Sequence, residues 1–198
     1  MEPIIINFKE PEKNDRRNII QMKTRILRPA EYEKLRSNCD KPHQTFFDGL
    51  LLSGMKLDEY RYFLKNPSLF DGKLIKLPEI RSKKRIIVRQ RSVKLSLKGR
   101  AIIKNIHRSL DANSMPENQS YIKYLKRIAI KANMDTEGLN LKCFRKTWES
   151  WLIASYPYRI GEVLLSQGRT TISTLKDYNN LSFGRDDLLE MKEWVEDW

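Results

Sequence analysis

The sequence predicts an α+β domain, mostly α with a small antiparallel β-sheet. Three observations carry that expectation. Apolar residues recur at helical spacing along most of the 198 residues. One central stretch, KLIKL followed by IIVRQRSVKLS, instead alternates and is rich in β-branched side chains, the mark of half-buried strands. The chain is 40% hydrophobic, enough for a real core in one domain.

The elements follow in order. Residues 1–24 read as a flexible arm, because the short apolar run Ile4 to Ile6 is flanked by Pro3, Pro11 and charges. Pro29 suits the first position of a helix over 29–38. Residues 43–55 read as a buried helix carrying Phe46, Phe47, Leu50 and Leu51, with Gly54 near its end. A short helix is expected over 57–64. Asp71-Gly72 marks a turn, 73–77 a strand, and 86–96 one or two more strands. Helices are expected over 97–110, 121–132, 142–155 and 159–166, then one leading to Tyr178 and one over 185–194, with loops at 111–116 and 134–141. The expected divisions are an arm (1–24), a domain (25–184) and an acidic C-terminal helix (185–198).

Charge is unevenly placed. The net charge is +13, and residues 65–108 hold 14 Lys or Arg against two acids. A face of that kind attracts a polyanion, nucleic acid first; the alternative is a plain solvated surface. Residues 185–198 carry −4. No stretch approaches the ~18 apolar residues of a membrane span. The N-terminus lacks the shape of a signal peptide, so a protein of the cytoplasm, nucleoid-associated and off the membrane, is expected. Cys39 and Cys143 are far apart, and His43 and His107 are the only histidines. The cysteines form no zinc pattern and no disulfide framework, and a His-based metal site or a Ser-His-Asp triad is poorly supplied. No cofactor and no metal are expected. Any catalysis must rest on Lys, Arg, Tyr and carboxylates.

Two segments carry a specific pattern. Residues 139–152 read LNLKCFRKTWESWL, and residues 164–178 read LLSQGRTTISTLKDY. Together they resemble the C-terminal boxes of the tyrosine recombinases, the phage integrase family. Lys142 and Arg145 match a His-or-Lys-x-x-Arg box. Gly168-Arg169 matches a Leu-Gly-His-like turn, and Tyr178 follows nine residues after Arg169. Upstream, LLLSGMKLDEY resembles an apolar helix ending in Thr-Gly-x-Arg-x-x-Glu. Gly54 and Glu59 match it, and Lys56 stands where that family has arginine. RSKKR at 81–85 falls where a hairpin lysine belongs. The resemblance covers roughly residues 28–183 and is greatest to integrases of archaeal viruses and plasmids.

The resemblance implies a recombinase catalytic-domain fold and a DNA-cleaving site. Tyr178 would be the nucleophile that yields a 3′-phosphotyrosine intermediate. Arg145, Lys142, Arg169 and Lys56 would surround the phosphate, and Lys84 would protonate the leaving oxygen. Lys83 is as well placed in sequence as Lys84. It is assigned, with Arg81, Arg85, Arg89, Arg91 and Lys146, to contacts with the DNA backbone. These residue types suit the chemistry. Attack on a phosphodiester builds negative charge on nonbridging oxygens, which guanidinium forks stabilise. A phenol of pKa ~10 needs neighbouring cations to attack as phenolate. A lysine can act as the general acid.

The partners implied are double-stranded DNA and further copies of the chain, dimer to tetramer. In such a synapse the C-terminal helix, with its stripe Leu188, Leu189, Met191, Trp194 and Val195, would dock on a neighbouring protomer; packing on its own domain is the alternative. Trp148 and Trp151 read as core. Two other functions stay open. One is a catalytically weakened DNA-binding relative acting as a regulator or accessory protein. The other is a topoisomerase-like relaxing activity.

Overall fold

Proline, glycine and small polar caps set the ends of most helices. The computed structural model describes residues 18–82, 85–113, 115–169 and 181–198. Helix α1 (Pro29–Ser37) starts on Pro29, as expected, and α2 (Lys41–Ser53) starts where Asp40 accepts the His43 N–H at 3.0 Å. Helix α2 ends on Gly54 at φ 58°, a left-handed conformation that glycine adopts at little cost. Helix α3 (Leu57–Lys65) follows at once. Ser96 caps α4 (Leu97–Ser109) by accepting the Gly99 N–H at 3.2 Å. Then come α5 (Asn118–Lys131), α6 (Lys142–Ser155), α7 (Ile160–Ser166) and α8 (Arg185–Val195). The helix expected before Tyr178 lies outside the described residues, as does the Ile4 to Ile6 run.

The fold is thus mostly helical with small antiparallel sheets. The single sheet expected is instead three antiparallel pairs among the described residues. Strands β3 (Leu74–Leu77) and β6 (Arg91–Lys94) form an outer pair, and β4 (Ile80–Ser82) and β5 (Arg85–Val88) an inner one nested between them. Register shifts between Ile80 and Arg81, which separates the inner pair from a regular ladder. The third pair corrects the last residues of the expected arm, 19–24. Residues 19–26 form a tight hairpin, β1 (Ile19–Gln21) and β2 (Thr24–Ile26). Met22 and Lys23 turn between them with φ of 47° and 59°.

The core lies around α2 and α6. Helix α2 packs on α4 and α6, while β2 and α8 also pack on α6. Phe47 stacks on Phe144 at 4.9 Å between ring centres, and Phe46 on Tyr121 at 4.0 Å. Trp148 and Trp151 are fully buried, as read from the sequence. The Trp151 indole donates to the Leu27 carbonyl at 2.9 Å.

The acidic helix α8 packs on α1, α4 and α6 of its own chain. It buries Met191, Trp194 and Val195, and Trp198 just beyond it, with Arg28 paired to Asp187. Its apolar stripe is therefore covered within the domain. Leu189, at 53% exposure, is the part left at the surface. No helix among the described residues is long and apolar enough to cross a membrane.

Candidate active site

Three stretches of chain that are far apart in sequence meet at Arg145. The first is the α2–α3 junction, where Gly54 turns the chain and Lys56 caps α3. The second is the first turn of α6, which carries Arg145. The third is the end of α7. There the Gly168 N–H bonds the Leu165 carbonyl at 2.9 Å and the Arg169 N–H bonds the Leu164 carbonyl at 2.8 Å. With Gly168 at φ 63°, this pair of bonds closes the helix in a Schellman turn.

Arg145 ties the three together. Its Nη1 donates to the Gly54 carbonyl at 3.2 Å, and its Nη2 donates to the Gln167 carbonyl. It is 8% exposed. Burial lowers its pKa to about 10, which still leaves it charged at neutral pH; Glu149 and Glu59 oppose that fall. Two of its donor nitrogens bond carbonyls, and its Nε has no hydrogen-bond partner among the described residues.

Two buried carboxylates flank it. Glu59, fully buried in α3, accepts from both ends of the Arg91 fork, Nη1 to Oε1 at 2.7 Å and Nη2 to Oε2 at 2.9 Å. Its Oε2 also accepts the Lys56 N–H at 2.8 Å and lies 3.5 Å from Arg145 Nη1. Burial alone would raise the Glu59 pKa; the bonds and charge of Arg91 outweigh it and hold the carboxyl below its usual value. Glu149, one turn beyond Arg145 on α6 and fully buried, takes the Arg169 fork, Nε to Oε1 at 3.0 Å and Nη2 to Oε2 at 2.7 Å.

Lys56 completes the cluster from the surface. Desolvation lowers its pKa; Glu59 opposes this, and the charges of Arg145, Arg91 and Arg89 lower it further. The Lys56 and Arg89 side chains form no ion pair among the described residues. Lys142, exposed at the start of α6, bonds Asn140 through its backbone N–H only. Lys56 and Arg89 bring positive charge to the cluster that no ion pair among the described residues cancels, beside an Arg145 that Glu59 neutralises in part, and such an excess is a condition for an anion site.

The other predicted residues differ from their expected roles or fall outside the described residues. Arg91 was read as a DNA contact, but its side chain is 5% exposed, and its third nitrogen, Nε, donates to the Ser166 carbonyl at 2.8 Å. Arg169 faces Glu149. Lys146 turns away to the β1–β2 hairpin and donates to the Gln21 carbonyl at 3.0 Å. Arg81 is exposed and paired with Glu79 at 2.6 Å. Arg85 opens β5 and pairs with Ser82 across the inner hairpin. Tyr178, Lys83 and Lys84 lie outside the described residues.

Sequence reading missed Glu149, although an acid four residues after Arg145 falls on the same helix face. It also missed the side chain of Gln167, which is fully buried at the floor of the site with neither amide atom hydrogen-bonded. Both cysteine thiols are pushed by burial to about 12 and are poor nucleophiles. Burial also raises Tyr32, Tyr60, Tyr121, Tyr124 and Tyr156, so none of these phenols is activated. No group of three His, Cys, Asp or Glu suited to a metal occurs among the described residues.

Gly54 is a tight point of the site. A Cβ there would lie 2.4 Å from Gln167 Oε1 and 2.7 Å from Trp148 Cδ1. Gly54→Ala should cost about 2–4 kcal/mol, left-handed strain plus overpacking. Urea unfolding measures it; a loss below about 0.5 kcal/mol, the ordinary surface value, would contradict the tight contact.

No family model matches this sequence, and comparison with curated proteins and with solved structures finds no match.

Proposed function

We propose that the chain is a tyrosine recombinase that cleaves and rejoins double-stranded DNA at a specific site. The observation that supports this most is the meeting of Gly54, Arg145 and Gln167, from the three boxes that resemble that family, beside Lys56, whose side chain forms no ion pair among the described residues. A scissile phosphate set against Lys56, Arg145 and Lys142 would have its nonbridging oxygens neutralised as charge develops. Tyr178 Oη attacks phosphorus and loses its proton to solvent. The P–O5′ bond breaks, and the leaving oxygen takes a proton from Lys84 or Lys83. The product is a 3′-phosphotyrosine, and the reverse sequence rejoins a strand. Self-association on DNA, dimer to tetramer, belongs to this reading.

The test is a duplex nicked beside the cleavage position, so that the released fragment diffuses away and the adduct is trapped. A library of such duplexes should yield protein joined to DNA at Tyr178, mapped by mass spectrometry. Absence of any adduct across the library would overturn the reading. Relaxation of arbitrary supercoiled plasmid would replace site-specific recombination with topoisomerase-like activity.

A second reading has its own support. Arg169 stands where the family has histidine or tryptophan, and its fork is engaged by Glu149. A relative weakened in this way would bind DNA as a regulator and give no adduct.

Lys56→Arg offers a finer check. A guanidinium there adds a fork toward the phosphate, so the adduct should form as fast or faster. Lys56→Ala should slow it by about 10²-fold, the scale of one lost transition-state donor. Equal rates for the two variants would remove Lys56 from the site.

A further inference from the structure

A buried carboxylate beside the cations of a phosphate site works against them unless something cancels its charge. Glu59 is such a group, with Oε2 3.5 Å from Arg145 and its charge felt at Lys56. Left alone, it would draw both cations toward itself and weaken the field that a phosphate meets.

Arg91 meets Glu59 with both ends of its fork and anchors itself through Nε to the Ser166 carbonyl. One side chain on β6 thereby links α3 to the end of α7. Space for it depends on Gly168, where a Cβ would lie 2.9 Å from Arg91 Cδ. All three of its nitrogens point at protein oxygens, and the side chain is 5% exposed, so it offers no donor to a phosphate. Glu59 in turn holds the Lys56 N–H at 2.8 Å and so fixes where Lys56 leaves the start of α3.

We infer that Arg91 is a positioning residue of this site: it neutralises and anchors Glu59, leaving the Lys56 ammonium uncommitted for a phosphate oxygen and Arg145 held in place beside it by the Gly54 and Gln167 carbonyls. The inference rests on the proposal that the cluster receives a DNA phosphate. Its test separates the two.

The proteins are wild type, Arg91→Met, Glu59→Gln and the double variant. The first readout is protection of Lys56 from acylation by inorganic pyrophosphate, followed by mass spectrometry, and it needs no catalysis. The second is the rate of adduct formation with the nicked duplex, and thermal midpoints accompany both. Arg91→Met should lose the protection and slow the adduct by about 10²-fold, the scale of a small misplacement at a reacting centre. Adding Glu59→Gln should restore most of both, because the uncancelled charge is then gone. A structural prop or a direct phosphate ligand predicts no such rescue, and a double variant no better than Arg91→Met would overturn the inference. So would a wild type whose Lys56 pyrophosphate does not protect. Where Arg91→Met does not fold, Arg91→Lys keeps the charge without the fork. It should retain protection while slowing the adduct, and loss of protection there counts against the inference. A wild type that shows the protection pattern without any adduct would defeat the recombinase reading and leave Arg91's role standing.

Discussion

Tyr178→Phe is expected to abolish the covalent protein–DNA adduct while leaving duplex affinity within about 0.5 kcal/mol, the usual range for a substitution that removes no packing. The substitution keeps the ring and removes only the oxygen proposed to attack. No other phenol is poised to replace it among Tyr32, Tyr60, Tyr121, Tyr124 and Tyr156. Each is held above its ordinary pKa by burial, away from the ionised form that attacks. The thiols are equally disfavoured, since Cys39 and Cys143 both lie near 12. Mass spectrometry of the trapped complex decides the matter. An adduct that persists in the phenylalanine variant would move the nucleophile elsewhere, and an affinity that collapses would make Tyr178 a binding residue.

Much of the fold was legible because local chemistry and packing agree. Pro29 and Gly54 mark helix ends in sequence and mark them in space, whereas the Asp40 cap starts α2 at Lys41, two residues before the expected 43. The β1–β2 hairpin was not legible. Its turn is Met22-Lys23, both left-handed, where sequence reading looks for asparagine or glycine. What holds that turn is tertiary: Lys146 on its Gln21 carbonyl, and β2 against α6. The site divides in the same way. Arg145 could be singled out from its spacing to Gly168 and Tyr178. Its neighbour Lys146 was assigned to the DNA backbone, yet one residue along a helix turns the side chain about 100°, toward the hairpin and the Gln21 carbonyl. The pairs Glu59–Arg91 and Glu149–Arg169 were out of reach for a related reason. Each joins residues on different elements, so only the assembled fold shows which arginines are already engaged.

Arg145→Ala carries the other large effect. Adduct formation should fall by about 10²–10³-fold, the cost of removing one preorganised donor from a developing oxyanion. Stability should fall by about 1–3 kcal/mol, because the Gly54 and Gln167 carbonyls lose their donors in a buried place. The two losses separate experimentally. Unfolding in urea reads the second, and single-turnover trapping well below the midpoint reads the first. Affinity for the intact duplex should change much less than the rate, since a group that acts on charge developing in the transition state shows itself mainly in the chemical step. Arg145→Lys sharpens the distinction. A lysine keeps the charge, but its single ammonium does not span the carbonyls of α2's end and α7's end as the guanidinium does. It should therefore recover most of the duplex affinity and little of the cleavage rate. A folded Arg145→Ala protein that forms the adduct as fast as wild type would show that the phosphate is not received at this cluster.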